Sequence, residues 1–192
     1  MDPVNIIIGL NIIATFGANL SGAQKGFKSS LSESVHKPNT YLQKLPLVLS
    51  TITLVALILA VFQIGTLDYT SKYNSVRIAG LIIYLLFSWI QIWSFKTLGN
   101  NYSQEIMIRK NHQLISSGPF RLIRHPQYLS QILLDLGAAA ATLSYLVFPF
   151  SVIQIPFLIL RAKEEEKLLS RHFKDEFSAY KKRSGFLIPF IG

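Results

Sequence analysis

With 192 residues, half of them hydrophobic, 15% charged and a mean hydropathy of +0.36, the chain is too apolar for an ordinary water-soluble domain. Its net charge of +9 does not mark a nucleic-acid binder, because Lys and Arg lie between apolar runs and do not form a patch on a soluble fold. The absence of cysteine excludes disulfides, thiolate zinc sites, a Cys nucleophile and prenylation of the chain itself.

In chain order, apolar runs cover residues 4–20, 45–67, 76–98 and 128–160. The first follows Asp2 in place of a basic leader, so it reads as a retained span, although Ser21-Gly22-Ala23 resembles a cleavage site. Each of the first three is about long enough to cross a hydrocarbon core of ~30 Å once. The last, 33 residues, would make a straight helix of about 50 Å, so it predicts a helical hairpin turning near Thr142 to Ser144 or at Pro149. Residues 161–183 have helical spacing, with Leu168, Leu169, His172, Phe173 and Phe177 forming an apolar stripe that would lie on the membrane surface or fold back over the bundle.

Five crossings sort the basic residues unequally. Seventeen of the nineteen fall on one side and only Lys72 and Arg77 on the other, which predicts an external amino terminus and a cytosolic carboxyl terminus. No repeat or linker divides the chain. The expectation is therefore an all-α, multi-pass bundle of about five transmembrane helices, one domain over residues 1–192, with a cytosolic cap.

Two polar clusters flank the expected hairpin, Gly118 to Tyr128 and Arg161 to Glu166, and the hairpin would bring them together at one interface. Separately each has a plain reading: Arg124 and His125 as headgroup anchors, Pro126 as a first-turn helix residue, and Glu164 to Glu166 with Lys167 and Arg171 as a solvated helix face. Asp135 is the one acidic residue inside an apolar run. It either shapes a pocket or is a carboxyl hydrogen-bonded to Ser130, Gln131 or another span.

Taken together, the run Gly-Pro-Phe-x-x-Ile-Arg-His-Pro-x-Tyr from Gly118 to Tyr128 resembles the signature of isoprenylcysteine carboxyl methyltransferases and the related phospholipid methyltransferases. So do Arg161, Glu164, Glu165, Leu168, Phe173, Phe177 and Tyr180, and the ending Leu187-Ile188-Pro189-Phe190-Ile191, which leans toward the isoprenylcysteine branch. The likeness covers about half the chain, from Leu98 onward; for residues 4–67 only the hydropathy is similar. It implies an S-adenosylmethionine pocket in the cytosolic cap. His112, Gln113, Leu114 and Ile115 would cover the adenine, followed by Phe120 where the family often has Tyr. His125, Pro126, Gln127 and Tyr128 would hold the amino acid end or ribose, and Glu165 would accept from its ammonium or hydroxyls. Glu105 is a further possibility.

Arg161, on the same helix face as Glu165, is the expected catalytic residue, a two-pronged guanidinium grip on an acceptor carboxylate. A carboxylate acceptor is ionised at neutral pH and needs no general base, which favours carboxyl methylation of an isoprenylcysteine or similar lipophilic acid. A phospholipid amine or small-thiol acceptor is the alternative enzyme, and a basic membrane anchor without activity the alternative outside enzymology. The implied partners are membrane lipid and a lipophilic or prenylated-peptide substrate, with no nucleic acid. The lack of further amino-terminal spans favours a prokaryotic cytoplasmic membrane.

Overall fold

The computed structural model describes residues 2–30, 34–189 and 191; Phe190 of the terminal motif lies outside them, as do the side chains of Lys25 and Lys28 used in the charge count. Five α-helices carry the described fold: α1 (Pro3–Ser30), α2 (Leu45–Val61), α3 (Asn74–Leu98), α4 (Pro126–Thr142) and α5 (Val147–Arg183). A short antiparallel pair, β1 (Ser34–His36) with β2 (Ile108–Arg109), is an addition to the all-helical expectation.

Several boundaries differ from the sequence reading. α1 continues ten residues past the expected end of its apolar run. α2 stops at Val61 and not at Leu67, because the chain turns through positive φ at Gln63 and Gly65. Gly65 is needed there: a Cβ would lie 2.2 Å from Leu146, and φ is +74°. The turn is pinned to the α4–α5 connection by Leu67 N–H to Leu143 O at 3.1 Å and Tyr145 N–H to Gly65 O at 3.1 Å.

The reversal after α4 falls where the run length placed it. Leu143 caps the helix in the left-handed region, its N–H returning to Ala139 and Ala140, and Ser144 Oγ accepts from Leu146 N–H and Val147 N–H. α5 is not confined to the returning arm. Its 37 residues run for about 55 Å, so 161–173 simply prolong the helix, and only a non-helical Lys174 (φ 44°) bends the last turns. Of the expected apolar stripe, Leu168 and Phe177 are buried and Leu169 and Phe173 half-buried, whereas His172 is exposed and belongs to the other face.

The distribution of polarity is inverted relative to a water-soluble bundle. Leu47, Val48, Ile52, Ile78, Ile82, Leu86, Trp89 and Trp93 face outward, while Asn5, Asn11, Thr53, Gln91 and Gln154 are buried inside. Two helical stretches, Tyr41–Val61 and Ser71–Asn101, are long and apolar enough to cross a membrane, and Pro3–Gly17 is a shorter apolar helix. This distribution fits lipid better than water as the outer solvent. With no hydrophobic drive between helices in lipid, close approach must come from small residues. Gly80 and Gly137 supply it between α3 and α4: a Cβ on Gly80 would lie 2.7 Å from Gly137 O, and one on Gly137 would lie 2.7 Å from Tyr84 N.

Candidate active site

The antiparallel course of α4 and α5 places the start of one beside the middle of the other, and the two polar clusters meet there. Arg124 Nε donates to Glu166 Oε1 at 2.5 Å, and its Nη1 donates to Ser184 O. The following backbone binds the carboxyl-terminal segment as a short parallel bridge: Arg124 N–H to Gly185 O at 2.8 Å, Gly185 N–H to Leu122 O at 3.0 Å and His125 N–H to Phe186 O at 3.3 Å. Phe186 adds an edge-on ring contact to His125, with centroids 5.1 Å apart. Ser184, Gly185 and Phe186, just before the terminal motif, thus close the wall behind His125.

A cavity of about 780 Å³, part of it open to solvent, lies in front of that wall. It is lined by eight of the ten expected cofactor residues, namely His112, Gln113, Leu114, Ile115, Phe120, His125, Gln127 and Glu165. Pro126 is not among them. It is fully buried as the first residue of α4, where the ring sets φ and no N–H is needed, so its part is structural. Tyr128 faces a second cavity of about 660 Å³ together with Arg161. Tyr102, Ser103 and Gln127 belong to both cavities and form the partition.

Tyr102, Ser103 and Met107 also line the first cavity and were not singled out from sequence, whereas Leu168 and Tyr180, part of the family likeness but not of the expected site, line it too. The signal for the first two was their position directly after the helix stop of α3, at the same interface as the two clusters. The roof over them is fixed by Gln43, whose amide copies a strand: Nε2 donates to Ile106 O at 3.0 Å and Oε1 accepts from Ile106 N–H at 2.8 Å. Ile106 and Ile108 then pack with Leu42 and Leu168 as a small second core.

Several buried polar atoms of the first cavity have no hydrogen-bond partner among the described residues. His125 sits between two carboxylates, Nδ1 3.7 Å from Glu165 and Nε2 3.4 Å from Glu166, with neither nitrogen in a formed hydrogen bond. Glu105 Oε2, His112 Nδ1 and Gln127 Oε1 are likewise buried without a partner among the described residues. Leaving one such group unpaired costs about 1–3 kcal/mol, so a cluster of them around one cavity points to a polar ligand.

Charge states follow from surroundings. Burial lowers the His112 imidazole to about 4, helped by Arg109 and His172, so it is neutral at pH 7. Burial alone would raise Glu166, but the nearby His125 imidazole, the hydrogen bond from Arg124 and the ion pair with Lys181 override it and hold the carboxyl at about 2. Burial pushes Tyr180 up to about 12, and its hydroxyl donates to Phe120 O at 2.6 Å.

Arg161 is more heavily engaged than a free two-pronged clamp. Nε donates to Tyr128 Oη at 2.9 Å, Nη1 to Leu42 O at 2.8 Å and Gln43 O at 3.2 Å, and Nη2 to Gln104 O at 2.5 Å. One of its five N–H groups remains. Tyr128 in turn donates its hydroxyl to Glu165 Oε1, so Arg161, Tyr128 and Glu165 form one chain across the partition.

Comparison with known proteins matches residues 80–171 to the model of the isoprenylcysteine carboxyl methyltransferase family. Protein-S-isoprenylcysteine O-methyltransferase of Saccharomyces cerevisiae is 28% identical over 131 residues, 65% of this chain and 53% of the relative. A probable protein-S-isoprenylcysteine O-methyltransferase of Oryza sativa subsp. indica is 27% identical over 62% of this chain and 64% of its own length. The cobalt-zinc-cadmium resistance protein CzcN of Cupriavidus metallidurans is 34% identical over 42% of this chain and 38% of its own length. The chain spans about half the length of the yeast protein it matches.

Proposed function

With residues 80–171 a segment of the isoprenylcysteine carboxyl methyltransferase family, we propose that this chain is a membrane methyltransferase that uses S-adenosylmethionine to O-methylate the carboxylate of an isoprenylcysteine or similar lipophilic acid. The observation that carries the reading is the pair of cavities sharing the Tyr102, Ser103 and Gln127 partition, one rich in unpaired polar atoms and the other adjoining the apolar helices α2 and α3. A donor and a lipophilic acceptor approaching from opposite sides of one wall need this layout.

The residues of the first cavity fit the cofactor. Leu114, Ile115 and Phe120 offer apolar cover to a purine, neutral His112 and the Gln127 carbonyl offer acceptors, and Glu165 keeps Oε2 for an ammonium or hydroxyl. When bound, the sulfonium supplies an electrophilic methyl group. The chain's part is to position and desolvate the acceptor, since the displacement consumes charge and a carboxylate needs no base. Arg161 presents its remaining N–H to that carboxylate, while its other donors hold the Leu42, Gln43 and Gln104 carbonyls and the Tyr128 hydroxyl in place. The geometry favours a one-pronged contact over the two-pronged grip expected from sequence.

The five-span course, the external amino terminus and the cytosolic active site belong to the same proposal, supported by the charge asymmetry and the position of the two cavities at the basic end. The test is calorimetric titration of purified protein with S-adenosylmethionine, followed by transfer of labelled methyl to N-acetyl-S-farnesylcysteine. Saturable binding and a base-labile ester are expected. Absence of cofactor binding, or a product stable to base, overturns the reading.

A further inference from the structure

Behind the acceptor cavity lies a polar chain within the apolar bundle. Gln91 Nε2 donates to Gln131 Oε1 at 2.7 Å, and Gln131 Nε2 donates to Asp135 Oδ2 at 2.6 Å. From the other side Ser50 Oγ donates to Gln154 Oε1 at 3.3 Å, and Gln154 Nε2 donates to the same Asp135 oxygen. Four helices take part, α2 through Ser50, α3 through Gln91, α4 through Gln131 and Asp135, and α5 through Gln154. Asp135 is 4% exposed and touches neither cavity wall directly.

The direction of these bonds has a chemical consequence. An amide has one donor end and one acceptor end, and a carboxylate oxygen accepting from both arms draws the NH2 end of each Gln, and the Ser50 hydroxyl proton, toward the centre of the chain. What remains outward at each end is an acceptor: Gln91 Oε1 on one arm and a lone pair of Ser50 Oγ on the other. Both residues line the second cavity, and Gln91 Oε1 has no hydrogen-bond donor among the described residues. Gln91 bonds Gln131, which lies three residues after Tyr128, so the Gln91 oxygen is about one helical turn, ~5 Å, deeper than the Tyr128 hydroxyl that Arg161 holds, and Ser50, on Gln154, lies deeper still.

We infer that Gln91, with Ser50, is a specificity-determining site that selects acceptors carrying a neutral hydrogen-bond donor, a hydroxyl or amide N–H, one helical turn from the reacting carboxylate, with Asp135 the positioning residue that aims it. This rests on the acceptor reading above. A plain hydrocarbon at that depth leaves the Gln91 oxygen desolvated and unpaired, whereas a hydroxyl satisfies it.

The probes are 5-hydroxydodecanoic acid and dodecanoic acid, whose hydroxyl and carboxylate are about one turn apart. Their affinities are measured in the same micelles for wild type, Gln91→Met and Asp135→Asn, so that unequal partitioning cancels in the ratio between proteins. Wild type is expected to prefer the hydroxy acid about three- to tenfold relative to Gln91→Met, as one neutral hydrogen bond provides. Asp135→Asn should lose most of that preference without touching either acid, an effect that merely loosened packing would not confine to the ratio. Equal ratios in wild type and Gln91→Met, or no binding of either acid, overturn the inference. Cofactor binding in the same samples reports separately on the methyltransferase reading.

Discussion

At the scale of single residues, Arg161 illustrates how a guanidinium serves positioning and recognition together. Its four occupied donors tie three loop carbonyls and Tyr128 to α5, and the Tyr128 hydroxyl passes that order to Glu165. Arg161→Ala is therefore expected to abolish methyl transfer and also to weaken cofactor binding severalfold through the Tyr128–Glu165 link. Arg161→Lys, a point charge without the fork, should restore only part of either. Turnover and calorimetric affinity measured on both variants check this; unchanged turnover in Arg161→Ala would remove it from the acceptor site. His112 makes a different kind of prediction. Its folded pKa of about 4 lies below the ordinary value of 6.5, so the unfolded chain binds the extra proton first and stability falls as pH drops from 6.5 to 4. Glu166, held at about 2 against an ordinary 4.5, adds a loss below pH 4.5. Thermal melting against pH should show both stages, and His112→Gln should flatten the first alone.

At the scale of elements, α3 and α4 depend on Gly80 and Gly137, where each backbone occupies the space that the other's Cβ would need. Gly137→Val is expected to cost about 1–3 kcal/mol and to lower the melting temperature, because the neighbouring atoms are backbone and cannot rotate away. Gly99→Ala, with no atom within 4 Å of the added Cβ but a φ of +52°, would report backbone strain alone as a control. Elements of this kind were legible as apolar runs. The run from 76 to 98 reappears as α3 and the long run divides at Leu143, because length and hydropathy are local properties. What escaped was whatever the backbone supplies. Nothing in the type of Leu42, Gln43 or Gln104 announces that their carbonyls will receive Arg161, and the strand-like docking of Gln43 on Ile106 joins residues more than sixty apart. Asp135 stood out as a buried acid, and its bond to Gln131 was among the alternatives. Its second partner, Gln154, became visible only when the hairpin closed.

At the scale of the whole molecule, the bundle has two chemically different ends. One gathers both cavities and the clusters around Arg124 and Arg161. The other holds Arg77 against Asp2, with its guanidinium over the Tyr69 ring at 3.6 Å and Nε donating to Ala141 O at 3.0 Å. Arg77 thus counts for little as a free surface charge, and the asymmetry of exposed basic residues is sharper than the sequence tally. If lipid surrounds the waist between these ends, they face opposite aqueous compartments. The cysteine-free sequence makes each introduced thiol unique. Ser116→Cys and Lys163→Cys flank the cavities, and Lys72→Cys sits at the far end, all at partly or fully exposed positions. In sealed right-side-out vesicles an impermeant maleimide is expected to label Lys72→Cys at once, and the other two only after permeabilisation. Labelling of Ser116→Cys and Lys163→Cys from opposite sides would separate the two halves of the proposed site. That result would remove the physical basis for one ligand touching both His112 and Glu165, since α5 would no longer return to the face from which α4 begins.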